Sequence, residues 1–77
     1  MELQERKVEL AIMGELVNDR VPVTVTLTNG FQVRGVVARH DRLVIVLLCD
    51  GTQKIIYKHS ISSIEPMKVL ESAQPKP

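Results

Sequence analysis

The spacing of hydrophobic positions changes once along the chain, from a helical period to a strand period, near residue 20. Over residues 5–17 apolar side chains recur every three or four residues, which predicts one amphipathic helix. Its apolar face consists of two adjoining rows: Val8, Ile12 and Leu16, and Leu10, Met13 and Val17. Asn18 and Asp19 mark the predicted end of the helix. From Val21 onward the period is two, which is typical of half-buried strands.

Five short strands joined by short turns are predicted after the helix. They cover residues 21–28, 31–40, 43–49, 53–57 and 60–65. The third is a nearly continuous apolar run, as expected for a strand buried on both sides. Asn29-Gly30 and Asp50-Gly51 predict type I′ turns, which need a positive φ at both central residues. Gly35 interrupts the second strand, where a glycine often marks a bend or bulge.

These elements predict a mainly β domain over residues 1–68: an N-terminal helix followed by a five-stranded, strongly bent antiparallel barrel. From residue 69 the chain is rich in polar residues and proline, which predicts a flexible tail over residues 69–77. OB-fold and SH3-like barrels share the outline of five short strands, so the order of elements alone leaves the type of barrel open.

Composition restricts the function more than it restricts the fold. A chain of 77 residues forms one small domain whose core is only marginally stabilising, which favours self-association. Cys49 is the single cysteine, and no cluster has zinc-ligand spacing, so we predict no disulfide, metal or other cofactor. No nucleophile motif is present and the length is too small for a substrate pocket, so we predict that the protein is not an enzyme.

Charge is unevenly distributed along the chain. Residues 1–19 carry two basic and five acidic side chains, whereas residues 20–68 carry seven basic and three acidic ones. A basic body suits a polyanionic partner. No segment approaches the ~18 apolar residues of a membrane span, and the acidic N-terminal residues differ from a signal peptide. We therefore expect a cytoplasmic protein without a membrane partner.

Two stretches of sequence resemble the motifs of a known family. The first is Asn-Gly-Phe-Gln-Val-Arg-Gly at residues 29–35, and the second is Ile-Tyr-Lys-His-Ser-Ile-Ser at residues 56–62. Together with Arg-Val-Pro-Val at residues 20–23 and the preceding helix, they resemble the bacterial Sm-like RNA chaperone family Hfq over residues 8–66. The resemblance implies an Sm fold and a homohexameric ring, in which the fourth strand of one subunit pairs with the fifth of the next.

The resemblance also implies a proximal RNA-binding face that takes single-stranded, uridine-rich RNA around the pore. The positions that match it are Glu9, His40, Asp41, Leu43, Tyr57, Lys58 and His59. His40 and Leu43 occupy positions where the family carries phenylalanine, and Glu9 occupies the position of a glutamine. Lys58 and His59 match the residues that meet the uracil edge and the ribose or phosphate.

A distal face for purine-rich RNA and a lateral rim are implied in the same way. The distal positions are Thr26, Asn29, Gly30, Phe31, Gln32, Val33 and Arg34, with Thr26 in place of a family aromatic. On the rim, Arg20 is basic, whereas Asn18 stands where the family usually carries arginine. Because Phe31, Gln32 and Arg34 remain at the distal positions while the proximal phenylalanines are absent, we expect purine-rich RNA to bind more tightly than uridine-rich RNA.

The resemblance implies an RNA chaperone ring that promotes contact between small regulatory RNA and mRNA in post-transcriptional regulation. The alternative is a structural Sm-like subunit with weak RNA affinity that partners another family member; the missing aromatics favour it, and the intact motifs favour the chaperone. Individual roles also stay open. Tyr57 either stabilises a subunit interface or contacts RNA, Phe31 either packs locally or contacts RNA, and Lys58-His59 either binds RNA or is a structural turn.

Overall fold

The computed structural model describes residues 2–74, with side chains from residue 7 onward. Its elements are helix α1 (Glu2–Asn18) and strands β1 (Pro22–Leu27), β2 (Gln32–His40), β3 (Val44–Cys49), β4 (Thr52–Tyr57) and β5 (Ile61–Pro66). Short 3₁₀ turns lie at Lys58–Ser60 and Glu71–Ala73. The predicted helix and all five strands are confirmed, with ends that differ by a few residues.

Helix α1 ends in a Schellman motif that turns the chain into β1. The amide of Val21 donates to the carbonyl of Leu16 at 3.1 Å, and the amide of Arg20 donates to that of Val17 at 3.3 Å. Arg20 adopts the left-handed conformation, with φ +50°, at the position that usually holds glycine. Leu16 and Val21 are both buried, which supplies the apolar contact typical of this motif.

Only the C-terminal half of α1 covers the core. Met13 and Leu16 are buried, and Ile12 packs against the core. Val8, by contrast, is 53% exposed, and Leu10 is also exposed. The predicted apolar face of the helix therefore covers the core only toward its C-terminal end, because the core of the single chain does not extend under the first turns.

The five antiparallel strands form one bent sheet with the order β4-β3-β2-β1-β5. Strand β2 pairs with β1 through its first half and with β3 through its second half, and Val36 has a partner in both. A Cβ atom on Gly35 would lie 2.4 Å from the carbonyl oxygen of Leu48, so the glycine permits this close approach. The register shift of β2 lies between Val37 and Arg39 instead of at Gly35.

The two predicted hairpin turns differ in geometry. Asp50 and Gly51 have φ of +49° and +80°, which confirms a type I′ turn. At the first turn only Gly30 has a positive φ, of +92°, so the prediction of type I′ is wrong there. The amide of Gly30 donates to the carbonyl of Leu27 at 2.9 Å, as in a type I turn followed by a left-handed glycine.

The core lies between α1 and the concave side of the sheet. Its buried apolar residues are Met13, Leu16, Val21, Val23, Val25, Val37, Ile45, Leu47, Ile56 and Leu70. The alternation predicted for β1 is confirmed, although Thr24 on the opposite side is also buried. On β3, Ile45 and Leu47 are buried but Leu48 is exposed. Burial of β3 on both sides is therefore not observed in the single subunit.

The segment after β5 differs from the predicted tail. Leu70 is buried, and the Glu15 carboxylate accepts hydrogen bonds from the Glu71 and Ser72 amides at 3.1 and 2.9 Å and from the Ser72 hydroxyl at 2.7 Å. Hydrogen bonds to Ser72 hold the pKa of the Glu15 carboxyl below its usual value. This segment therefore packs on α1 as part of the domain, and residues 75–77 of the predicted tail lie outside the described residues.

Candidate nucleic-acid interface

The sheet brings the Tyr-Lys-His motif next to the loop between β2 and β3. Val44 and Tyr57 are register partners in the β3–β4 ladder, and the amide of Lys58 donates to the carbonyl of Leu43 at 2.7 Å. The 3₁₀ turn then directs His59 to the surface. We call the seven residues Glu9, His40, Asp41, Leu43, Tyr57, Lys58 and His59 the proximal set; the contacts below join most of them into one neighbourhood.

Asp41 shapes the loop of the proximal set. Its Oδ1 accepts hydrogen bonds from the amides of Leu43 at 2.8 Å and Val44 at 2.9 Å. The hydrogen bond from Val44, and then that from Leu43, hold the pKa of the Asp41 carboxyl below its usual value, and the charge of Lys58 acts in the same direction. Asp41 is thus a charged residue that fixes the loop backbone.

Lys58 is joined to helix α1 by an ion pair with Glu9. The Nζ atom of Lys58 contacts Oε2 of Glu9, and the two side chains are 19% and 39% exposed. The pair links residues 49 positions apart in the sequence. It has no local signal in the sequence: the family resemblance assigns both residues to one face but does not predict that they contact each other.

Rings and an aliphatic side chain provide the exposed surface of the proximal set. The ring centroids of Tyr57 and His59 lie 5.7 Å apart with an interplanar angle of 36°, and both residues are exposed. Leu43 is exposed as well. His40, the last residue of β2, is half-buried, and its Nδ1 atom has no hydrogen-bond partner among the residues that the structure describes. Exposed rings of this kind offer stacking surfaces for bases.

The β1–β2 hairpin holds most of the distal positions at the surface. Phe31 is 71% exposed, and its amide donates to Oδ1 of Asn29 at 3.0 Å. Gln32 is the register partner of Thr26, and its Nε2 atom donates to the Thr26 hydroxyl at 3.4 Å. The Gly30 turn therefore presents an aromatic ring and an amide side chain side by side.

Val33 and Arg34 differ because successive residues of a strand face opposite sides. Arg34 is exposed beside the hairpin. Val33 is half-buried and packs against the core, where it pairs with Val25. Of the seven predicted distal positions, Val33 is therefore the one whose side chain belongs to the interior.

The two sets occupy different ends of β2. Gln32 begins the strand and His40 ends it. The 3₁₀ turn at Lys58–Ser60 also approaches the hairpin, since the amide of Thr28 donates to the carbonyl of Ser60 at 2.9 Å. One strand and one turn thus connect the proximal set to the distal hairpin.

The predicted rim residues lie at the C-terminal end of α1. Asn18 and Arg20 are both exposed. Arg20 lines a groove of about 430 Å³ together with apolar residues of β2 and Leu48 of β3. The structure thus separates these two residues from the proximal ion pair.

Metal sites and membrane spans are both absent from the part of the chain that the structure describes. Among the side chains of residues 7–74, no group of three or more His, Cys, Asp or Glu residues is arranged to hold a metal ion. None of the helices described is long and apolar enough to cross a membrane.

Comparisons with known proteins agree with this geometry. A family model described as "Hfq protein" matches residues 10–71. The RNA-binding protein Hfq of Clostridium kluyveri is 50% identical over 52 residues, which cover 68% of this chain and 63% of that protein. The Clostridium botulinum protein of the same name is 52% identical over 52 residues, which cover 68% of this chain and 61% of that protein. The matched part of this chain thus spans less than two thirds of the length of these relatives.

A solved structure supports the same assignment. The crystal structure of "the pleiotropic translational regulator, Hfq" has a TM-score of 0.66 and 35% identity, and the match covers 82% of this chain and 97% of that one. This similarity, together with the helix and the bent five-stranded sheet of the present chain, identifies its fold as Sm-like. With a family model matched over most of its length, this chain belongs to the Hfq family.

Proposed function

We propose that this chain is the subunit of a homohexameric ring that binds single-stranded RNA in the cytoplasm and promotes contact between small regulatory RNA and mRNA. The observation that carries the proposal is that the Tyr57–His59 motif lies against the loop at residues 41–43, to which the amide of Lys58 donates a hydrogen bond. This arrangement combines a positive charge, a hydrogen-bonding imidazole and exposed rings. These groups suit the phosphates, riboses and bases of single-stranded RNA.

Ring assembly is supported by the two edges of the sheet. Within residues 2–74, β4 pairs only with β3, and β5 pairs only with β1. Each edge strand has six residues, and on β4 the side chains of Ile55 and Tyr57 are exposed. Pairing of β4 with β5 of a neighbour satisfies both edges and covers this apolar surface. A head-to-tail contact of this kind closes into a ring when the rotation between neighbours divides a full turn, and six equal subunits meet this condition at 60° each.

The distal hairpin supplies a second RNA-binding surface. Phe31, Gln32 and Arg34 offer a stacking ring, an amide and a positive charge at the surface. Purine-rich RNA, which stacks strongly, is the ligand we propose for this face. Two RNA molecules held by different residues of one ring are brought to a high local concentration, which is the physical basis of the proposed chaperone activity.

Mass in solution tests the assembly. Light scattering at micromolar concentration is expected to give six times 8.6 kDa. A stable monomer under these conditions refutes the proposed ring. Reducing the apolar edge by Ile55→Ser should shift the mass toward the monomer, whereas Lys54→Ser on the same strand serves as the matched control.

RNA affinities test the two faces. Fluorescence anisotropy with oligomers of equal length at fixed salt is expected to show tighter binding of purine-rich RNA than of uridine-rich RNA. Lys58→Ala should weaken uridine-rich RNA and flatten its salt dependence, because fewer counterions are released. Purine-rich RNA should be unaffected, and Lys54→Ala is the control for loss of one positive charge. Dissociation of the ring by Lys58→Ala, with equal loss of both RNAs, would assign Lys58 to structure instead.

The second candidate function is a structural Sm-like subunit with weak RNA affinity that partners another family member. The ion pair that engages Lys58 with Glu9 favours it, as does the absence of phenylalanine at positions 40 and 43. Weak binding of both RNA classes by an intact ring would support this candidate. Binding of purine-rich RNA in the nanomolar range would exclude it.

A further inference from the structure

Lys58 has one carboxylate as its direct side-chain partner among the residues with described side chains. The Nζ atom contacts Oε2 of Glu9, which α1 presents to the 3₁₀ turn. Asp41 is near enough for its charge to interact with Lys58, but its Oδ1 is engaged by two loop amides. Glu9 is therefore the residue that holds the ammonium group in place.

This contact alters what the turn offers to RNA. With a side chain only 19% exposed, Lys58 has little water to lose, and its charge is already balanced by a carboxylate. A charge-assisted hydrogen bond of this kind is shorter and stronger than a neutral one. An RNA phosphate must compete with Glu9 for Lys58, and it must also approach the negative charge of that carboxylate.

We infer that Glu9 is a specificity-determining residue that occupies Lys58 and so directs RNA away from the proximal set toward the distal hairpin. Glu9 acts through Lys58, as an internal competitor for the phosphate, and this role rests on the proposed RNA-binding function. The chemistry it selects against is an anionic backbone at the Tyr-Lys-His turn. The hairpin at Phe31 contains no such carboxylate among its exposed side chains and keeps its affinity.

The variant Glu9→Gln tests this role because it keeps the length of the side chain and an oxygen that accepts from Lys58, while the negative charge is lost. We expect roughly tenfold tighter binding of a short oligouridine. The salt dependence should steepen by about 0.7 for each additional phosphate that the ring neutralises, which a purely structural role of Glu9 would not produce. Purine-rich RNA should change less than about twofold. Glu71→Gln, an equal change of charge at an exposed site after β5, is the matched control.

A double variant separates competition for Lys58 from direct repulsion of RNA. In the Lys58→Ala background, Glu9→Gln should have little effect on oligouridine, since no ammonium group remains to be released. A stronger affinity that persists in this background overturns the inference, because the carboxylate then acts on RNA directly. Ring mass and melting temperature are measured for every variant, and Glu9→Ala repeats the test without the amide.

The remaining outcomes separate this inference from the proposed function. If purine-rich RNA binds and Glu9→Gln leaves oligouridine affinity unchanged, the inference fails and the proposed function stands. If only the Glu9→Gln ring binds RNA, the competition at Lys58 holds, but the redirection of RNA to the distal hairpin and the proposed function both fail. If neither ring binds either RNA, both fail.

Discussion

Replacing Gly35 by alanine tests the contact that bends the sheet. The added Cβ would lie 2.4 Å from the carbonyl oxygen of Leu48, 3.0 Å from Sγ of Cys49 and 3.1 Å from Cγ of Leu47. The nearest of these atoms belongs to the backbone of β3, which pairs with β2 on one side and β4 on the other. The carbonyl cannot move away without disturbing two ladders, so the strain falls on the sheet.

The size of the effect follows from two opposing terms. Overpacking of this kind costs about 1–3 kcal/mol, and a contact with backbone belongs at the upper end of that range. Alanine also reduces the conformational entropy of the unfolded chain, which offsets about 0.5–1 kcal/mol of this loss of stability. We therefore expect Gly35→Ala to lower the free energy of unfolding by about 2 kcal/mol, which for a domain of this size lowers Tm by roughly 8–16 °C.

The assay is urea and thermal unfolding at one fixed protein concentration, because the proposed assembly would make stability depend on concentration. Gly14→Ala is the matched control: it is the same substitution within α1, and nothing lies within 4 Å of its Cβ position. That variant should be stabilised by about 1 kcal/mol through the higher helix propensity of alanine. A Gly35→Ala protein as stable as the wild type would refute the reasoning, since β2 and β3 would then separate at no cost.

Three further substitutions probe other parts of the domain. Arg20→Gly removes a left-handed non-glycine residue, which should raise the free energy of unfolding by about 0.5–1 kcal/mol and raise Tm accordingly. It should also weaken RNA binding if Arg20 contacts RNA at the rim. Thermal melting measures the first effect and fluorescence anisotropy measures the second. Glu15→Gln should abolish an acid-dependent part of the stability. Hydrogen bonds from Ser72, first from its hydroxyl, lower the pKa of Glu15, so its stabilising contribution is full above the ordinary pKa of 4.5 and is lost as pH falls through the lower folded pKa. Urea midpoints of both proteins between pH 3 and pH 7 should therefore converge at the acid end. Leu70→Ala should cost about 2–3 kcal/mol, and an unchanged urea midpoint would show that this segment does not contribute to the core.

The candidate site was predicted from sequence where a short motif specifies it. The neighbouring residues Tyr57, Lys58 and His59 were found together because they are contiguous, and the structure keeps Tyr57 and His59 exposed on one turn. The ion pair of Lys58 with Glu9 was not predicted, because it depends on how α1 crosses the sheet. The motif places Val33 among the distal residues because of its position in the sequence. Strand alternation, however, directs its side chain toward the core.

The sequence by itself determined the elements of this protein, because helix and strand periods, turn residues and the valine alternation of β1 act over a few neighbouring residues. The tertiary structure alone decided which apolar residues are covered. Val8 and Leu48 have the pattern of buried residues yet are exposed in one subunit, whereas Leu70, in a polar stretch, completes the core. Burial depends on contacts between segments distant in sequence, and no local period encodes these contacts. For the same reason the partner of Lys58 is known only from the folded structure.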